Sequence, residues 1–234
     1  MHNNMGTLYG VGVGPGDPEL ITLKAIRIID NSDVLIFPGR RRESCRAYQI
    51  LSEAYSDIDK KQCVFKAFPM TMNKEELNSF HHNIADEIYK LLQAGKKVCF
   101  LTIGDPSIYS TFEYIASILE NIDEAVLIER VSGITSFCAV ASRLNISLAL
   151  EDELIHVIPG SADTMAALEL KGTKVFMKSG KRLADFRRVL IEYERSGRGT
   201  VMSVSNCGMD NEIVARSANE IPTEGNYLTV IIVR

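Results

Sequence analysis

Four short segments near the start of the chain, "TLYGVGV", "DVLIFPG", "KKVCFLTIGDP" and "AVLIERVSG", are apolar along almost their whole length. A strand with one face in water alternates polar and apolar residues, so a run that is apolar on both faces must be covered on both. Helical patterns stand between them. In "PELITLKAIRIIDNS" the residues Leu20, Leu23, Ile26 and Ile29 recur at a spacing of three to four. "NKEELNSFHHNIADEIYKLLQAG" reads as one long amphipathic helix closed by Gly95. Apolar strands separated by helices predict an α/β fold with a parallel sheet between helical layers. Ligands of such sheets gather at the carboxyl ends of the strands. The loops "GVGPGDP", "GDPSIYS" and "SGITS" all lie at such ends.

After "ITSFCAVASRLN", which starts a helix, the pattern changes. "ELIHVIPG", "TKVFMKSG", "GTVMSVSNCG" and "NYLTVIIVR" are strand-like, joined by the helical or looped stretches "DTMAALELK", "RLADFRRVLIEYERSG" and "NEIVARSANEI". With 234 residues the chain can bury two cores of about 100 residues each. We read two α/β domains with mainly parallel sheets, an N-terminal one over residues 1–130 and a C-terminal one over 131–234.

A formal net charge of -4 argues against general nucleic-acid binding, and no apolar run approaches the ~20 residues of a membrane span. The start "MHNNMGTLYG" lacks the basic-then-apolar order of a signal peptide. Five scattered cysteines without a CxxC pair indicate neither a metal site nor a disulfide framework, and point to the reducing cytoplasm. Cys99 and Cys138 stand in apolar stretches and read as small core residues. His81 and His82, adjacent on a helix, diverge and have no ligand partner at metal spacing, so they read as surface and edge residues. His156 reads as a core or loop histidine. No metal is expected.

The segment "GVGVGPGDPEL", residues 10–20, combines four glycines with two prolines. Glycine permits close approach of another group and proline fixes the backbone, so this loop is shaped rather than slack. A dinucleotide fingerprint fits Gly10 and Gly12 but meets Pro15 where its third glycine belongs. That disfavours a nicotinamide-dependent oxidoreductase. A phosphate-binding P-loop fails because no GK[ST] follows. A third reading is a tight strand-to-helix turn with Asp17 as cap and Pro18 at the first helical position.

The ordered set "GVGPGDPELITLKA", "IGDPSIYST", "VSGITSF" and "VFMKSG" resembles the tetrapyrrole (corrin/porphyrin) methylase family, which transfers methyl from S-adenosyl-L-methionine. Within it, "LYGVGVGPGDPELITLKAIRII", "GDPSIYSTFEYI" and "YLTVIIVR" are most similar to the C20-methyltransferases that act on precorrin-2 or cobalt-factor II in cobalamin biosynthesis. The resemblance runs from Leu8 to the C-terminus. It departs at Ser132, where the family usually has proline. It implies two α/β domains with the cofactor in a cleft between them, a homodimer, a tetrapyrrole acceptor and no nucleic-acid partner. Siblings on the same scaffold, methylating another ring position, uroporphyrinogen, a diphthamide precursor or ribosomal RNA, are the alternatives.

By the same resemblance, the cofactor contacts are Pro15, Ile103, Gly104, Asp105, Ile108, Thr135, Ser136, Met177 and Gly208. Asp105 can accept from a ribose hydroxyl or an amino group, and Ile108 and Met177 offer apolar surface to adenine. Bland roles stand beside these: Asp105 as the cap of a helix in "PSIYSTFEYI", Thr135 and Ser136 as caps, Met177 as core. A polycarboxylate acceptor on an acidic protein needs local cations. Arg40, Arg41 and Arg42 in "GRRRES" follow a strand end and suit bidentate carboxylate contacts, unless they form only a solvated loop. Tyr109 is a candidate to line the acceptor site. No side chain is assigned as a catalytic base.

Overall fold

Every strand of the first sheet runs in the same direction. The computed structural model describes residues 5–69, 73–178, 183–224 and 227–234, and the chain divides into two units, Met1–Thr135 and Ser136–Arg234. The start of the N-terminal segment, Ser179 and Gly180 of "TKVFMKSG", Arg182 and Asn226 lie outside the described residues.

In the first unit, β1 (Thr7–Gly12), β2 (Val34–Pro38), β3 (Gln62–Lys66), β4 (Val98–Thr102) and β5 (Leu127–Val131) form the order β3-β2-β4-β1-β5. All four pairings are parallel. β2 and β4 are buried along almost their whole length, as strands apolar on both faces require, whereas β5, expected as another such strand, stands at the sheet edge with only Val131 buried. Residues alternate between the faces. Leu8, Val34, Ile36, Val98 and Phe100 pack with helices α3 (Lys74–Gln93) and α4 (Phe112–Ile122) in one core cluster. α1 (Leu23–Asp30) and α2 (Arg46–Ala54) contact β1 and β2. Each strand-to-strand crossover is right-handed when α1 and α2 take the face opposite α3 and α4.

The predicted helix over 18–32 is two elements. Asp17 caps only a short 3-10 turn, Pro18–Leu20, accepting from the Glu19 N–H at 2.9 Å. Thr22 then caps α1, its Oγ1 accepting from the Ala25 N–H at 3.1 Å. This break rotates the apolar stripe. Ala25 and Ile29 are buried, whereas Leu23 is 90% exposed. α3 ends as expected, with Gly95 N–H donating to Leu92 O at 2.9 Å. α2 and β3 lie outside the segments read from the sequence pattern, because β3 is an edge strand with no fully buried residue.

α3 also overturns the surface reading of His81. His82 is exposed, with Nδ1 paired to Asn78 O at 2.8 Å, but His81 is only 6% exposed and stacks on Tyr114 at 5.0 Å. Burial, then the neighbouring charge of His82, push its pKa below 6.5. The unfolded chain therefore takes up this proton more readily, so stability present above about pH 6.5 is lost as pH falls through that value. We expect the Tm drop between pH 7.5 and 5.5 to be smaller in His81→Phe than in the parent, as read by thermal melts.

The second unit holds α5 (Ser136–Leu144), β6 (Ile155–Pro159), α6 (Thr164–Leu168), β7 (Thr173–Met177), α7 (Leu183–Arg195), β8 (Val201–Ser205), β9 (Ile213–Ala215) and β10 (Thr229–Val233). Its sheet has the order β6-β7-β10-β8-β9. Only β6 and β7 are parallel, while β10 runs antiparallel to β7 and β8, and β9 antiparallel to β8. The parallel character thus belongs mainly to the first unit. β9 falls in the "NEIVARSANEI" stretch read as helical or looped; at three residues it is too short to show a period. Cys99 is buried as expected, but Cys138 is exposed, because α5 buries Ala139, Val140 and Leu144. Among the described residues no helix is long and apolar enough to cross a membrane.

Candidate functional site

β1 and β4 are neighbours whose continuations leave in opposite directions, β1 towards β2 and β4 across to β5. Such a switch point opens a crevice at the carboxyl ends of a parallel sheet. The glycine loops meet there. Val13 N–H donates to Thr102 O at 2.9 Å, and Gly104 N–H donates to Gly14 O at 2.7 Å. The loop after β5 closes onto both. A Cβ on Gly133 would stand 2.1 Å from Gly104 O and 2.9 Å from Gly12 Cα; one on Gly12 would stand 2.3 Å from Gly104 O. Three backbones are in contact here with no room for a side chain.

Asp105 ties this stack together. Its Oδ1 accepts from Ser107 N–H at 2.8 Å and its Oδ2 from Gly133 N–H at 3.0 Å. The cap reading of Asp105 is therefore wrong for α4, which begins at Phe112, where the Phe112 N–H instead donates to Ser110 Oγ at 3.1 Å. Each carboxylate oxygen keeps a further lone pair, so the fastening role leaves room for a ligand. Hydrogen bonds to a charged group contribute about 1.5–3 kcal/mol each. We expect Asp105→Ala to lower stability by about 2 kcal/mol in urea melts, with Asp105→Asn intermediate because it keeps one acceptor oxygen.

Around the stack, Pro15 and Gly104 are buried, Ile103 and Asp105 half-buried, and Ile108 and Tyr109 exposed at 37% and 43%. Tyr109 has a φ of 48°, a left-handed conformation costly for an aromatic residue and typical of functional loops. Thr135 Oγ1 is buried and has no hydrogen-bond partner. It does not cap α5, and an orphaned hydroxyl beside a shaped backbone crevice suits an absent polar ligand. Pro15, Ile103, Gly104, Asp105, Ile108 and Thr135 thus share one end of one sheet.

Arg40, Arg41 and Arg42 follow β2, at the same carboxyl end of the sheet and on the strand next to β4. Arg42 is committed locally: Nη1 donates to Asp59 Oδ1 at 2.8 Å and the guanidinium lies 5.3 Å from the Tyr48 ring centroid. Arg41 sits 3.8 Å from Glu43, an exposed pair of little energy. Arg40 has no acidic partner among the described residues.

The remaining candidates belong to the second unit. Ser136 begins α5. Met177 ends β7, 9% exposed, its carbonyl accepting from Gly160 N–H at 2.7 Å. Gly208 lies in the turn after β8, its N–H donating to Glu212 Oε2 at 2.9 Å. Glu212 Oε1 in turn accepts from Arg143 Nε at 2.5 Å. Two residues the sequence did not single out are left-handed at these strand ends, Lys178 at φ 59° after β7 and Asn206 at φ 52° after β8. Asparagine tolerates that conformation, which was the one available signal; lysine gives none. Among the described residues no group of three His, Cys, Asp or Glu side chains is placed to hold a metal ion.

Comparison with known proteins identifies the family and the fold. The family described as Tetrapyrrole (Corrin/Porphyrin) Methylases matches residues 7–221. A protein of Methanocaldococcus jannaschii named probable cobalt-precorrin-2 C(20)-methyltransferase is 34% identical over 180 residues, covering 76% of this chain and 75% of that one. A precorrin-2 C(20)-methyltransferase of a Sinorhizobium species is 28% identical over 98% of this chain and 95% of its own. The fold is similar to that of uroporphyrin-III C-methyltransferase from Thermus thermophilus, solved with S-adenosylhomocysteine. There the TM-score is 0.66 at 22% identity, over 97% of each chain.

Proposed function

The chain belongs to the tetrapyrrole (corrin/porphyrin) methylases, and we propose that it transfers a methyl group from S-adenosylmethionine to carbon 20 of precorrin-2 or its cobalt complex, in cobalamin biosynthesis. The observation that carries this reading is the likeness, over three quarters or more of the chain, to relatives named for that reaction. The chemistry of the first unit supports it. When bound, the donor supplies an electrophilic methyl group on a sulfonium, with a neutral thioether as leaving group. The protein then needs to position and to exclude water rather than to supply a nucleophile.

The chain's own residues suit that task. The Gly12, Gly104 and Gly133 backbones form a floor without side chains, Asp105 fixes it, and Thr135 Oγ1 offers an unused donor and acceptor. Pro15, Ile103 and Ile108 add apolar surface; in the second unit the donor candidates are Ser136, Met177 and Gly208. Tyr109 lines the acceptor side, and Arg40 and Arg41 receive its carboxylates, with Arg42 held in reserve by Asp59. The protein works as a homodimer in the cytoplasm.

Calorimetry with S-adenosylhomocysteine tests the donor site. The parent should bind it, and NAD should not bind. Thr135→Val removes a buried, unpaired hydroxyl, so it should leave stability unchanged or slightly higher. It should nonetheless weaken S-adenosylhomocysteine by about 1–2 kcal/mol, or fivefold to thirtyfold. Unchanged affinity would remove Thr135 from the site; no binding by the parent would overturn the donor assignment.

A further inference from the structure

A cavity of about 390 Å³ opens beside the beginning of β7, lined by Glu153, Glu169, Lys171, Lys174, Tyr193 and Arg198 with Arg234. Met177, one of the donor candidates of this unit, is at the other end of the same strand. The cavity is unusual for what its lysines lack.

Alternation along β7 puts Lys174 on the face of Phe176, which is fully buried against Phe186 and Leu190. A lysine therefore occupies a position that core packing would give to an apolar residue, and it is only 4% exposed. Its Nζ donates to Leu170 O at 3.2 Å and lies 5.9 Å from the Tyr193 ring centroid. One carbonyl and one ring face leave one of the three ammonium protons without a partner among the described residues. The two carboxylates of the cavity are taken: Glu169 Oε1 by Arg198 Nη2 at 2.6 Å, and Glu153 Oε2 by Arg234 Nη2 at 3.5 Å. The lysines that form ion pairs among the described residues are Lys60, Lys66 and Lys96, so Lys171 and Lys174 stand as surplus positive charge. A buried ammonium is costly without a counter-charge.

We propose that this cavity binds a small, multiply charged oxyanion, held by Lys174 at its base and Lys171 at its rim, at a site separate from the methyl-transfer site. Phosphoryl and polycarboxylate groups share the required chemistry: several acceptor oxygens and a charge of about two to match the two lysines that have no carboxylate partner among the described residues. The competing role for Lys174 is purely structural, tying down the turn that follows α6 through Leu170 O.

Thermal melts and calorimetry on the intact protein, with inorganic phosphate and with citrate as separate titrants, decide between them, using sodium chloride at matched ionic strength as control. A saturable rise in Tm with either titrant, beyond that of chloride, is expected, and the titrant that gives it identifies the source. Lys174→Met should weaken that anion by about tenfold or more, and Lys171→Gln by about threefold. If Lys174→Met does not fold, Lys171→Gln alone decides. No saturable effect of either anion in the parent, or full affinity in the folded variants, would overturn the proposal. Affinity for S-adenosylhomocysteine should stay unchanged in both lysine variants, which separates failure here from failure of the donor site.

Discussion

Gly133→Ala is expected to lower stability by about 3 kcal/mol and to abolish measurable binding of S-adenosylhomocysteine. The added methyl would stand 2.1 Å from Gly104 O and 2.9 Å from Gly12 Cα. Both obstacles are backbone, so no rotamer change relieves the clash, and the loop after β5 must lift away from the loop after β4. That movement also breaks the hydrogen bond from Gly133 N–H to Asp105 Oδ2. Urea melts read the stability term and calorimetry the binding term. Ser132→Ala, one residue earlier and exposed, is the control and should change neither by more than about 0.5 kcal/mol. Parent-like binding by Gly133→Ala would show that the loop contact does not build the site.

Phe112→Ala should cost about 3–5 kcal/mol, the range for removing a fully buried aromatic side chain. The ring is the hinge between α4 and the sheet. It presses so closely on β1 that a Cβ on Gly10 would lie 2.4 Å from it, and Phe100, paired with Gly10 on β4, is 5.9 Å away. Arg130, which is bound to Glu113 through two nitrogens, covers the ring at 5.7 Å. Little around this space can collapse, because the nearest wall is strand backbone. Phe112→Leu, which refills most of the volume, should recover roughly half of the loss in the same melts. A cost below about 1 kcal/mol for Phe112→Ala would mean that α4 repacks and the core is not held as described.

The parallel first sheet was legible because burial on both faces leaves runs such as "DVLIFP" that few other folds tolerate. The glycine loops were legible for a related reason. Close backbone contact excludes side chains, so Gly12, Gly104 and Gly133 mark it directly. What Asp105 does was not legible, since its partner Gly133 lies 28 residues away and only the fold brings them together. Leu23 misled because the periodic stripe was extended through Thr22, whose hydroxyl starts a new helix. His81 looked like a surface residue because its cover, Tyr114, comes from another helix. Lys174 was invisible for the opposite reason: a charged residue in a strand pattern reads as an outward position, and only burial shows it pointing inward.

The central claim is tested most directly by methyl transfer itself. The protein is incubated with S-adenosylmethionine labelled with carbon-13 in its methyl group and, in separate reactions, with precorrin-2 and its cobalt complex. Carbon NMR then locates the label. The account predicts a labelled methyl on carbon 20 of at least one acceptor, with one S-adenosylhomocysteine formed per methyl transferred. Label on another ring carbon, or no transfer by a protein that binds the donor, would contradict it.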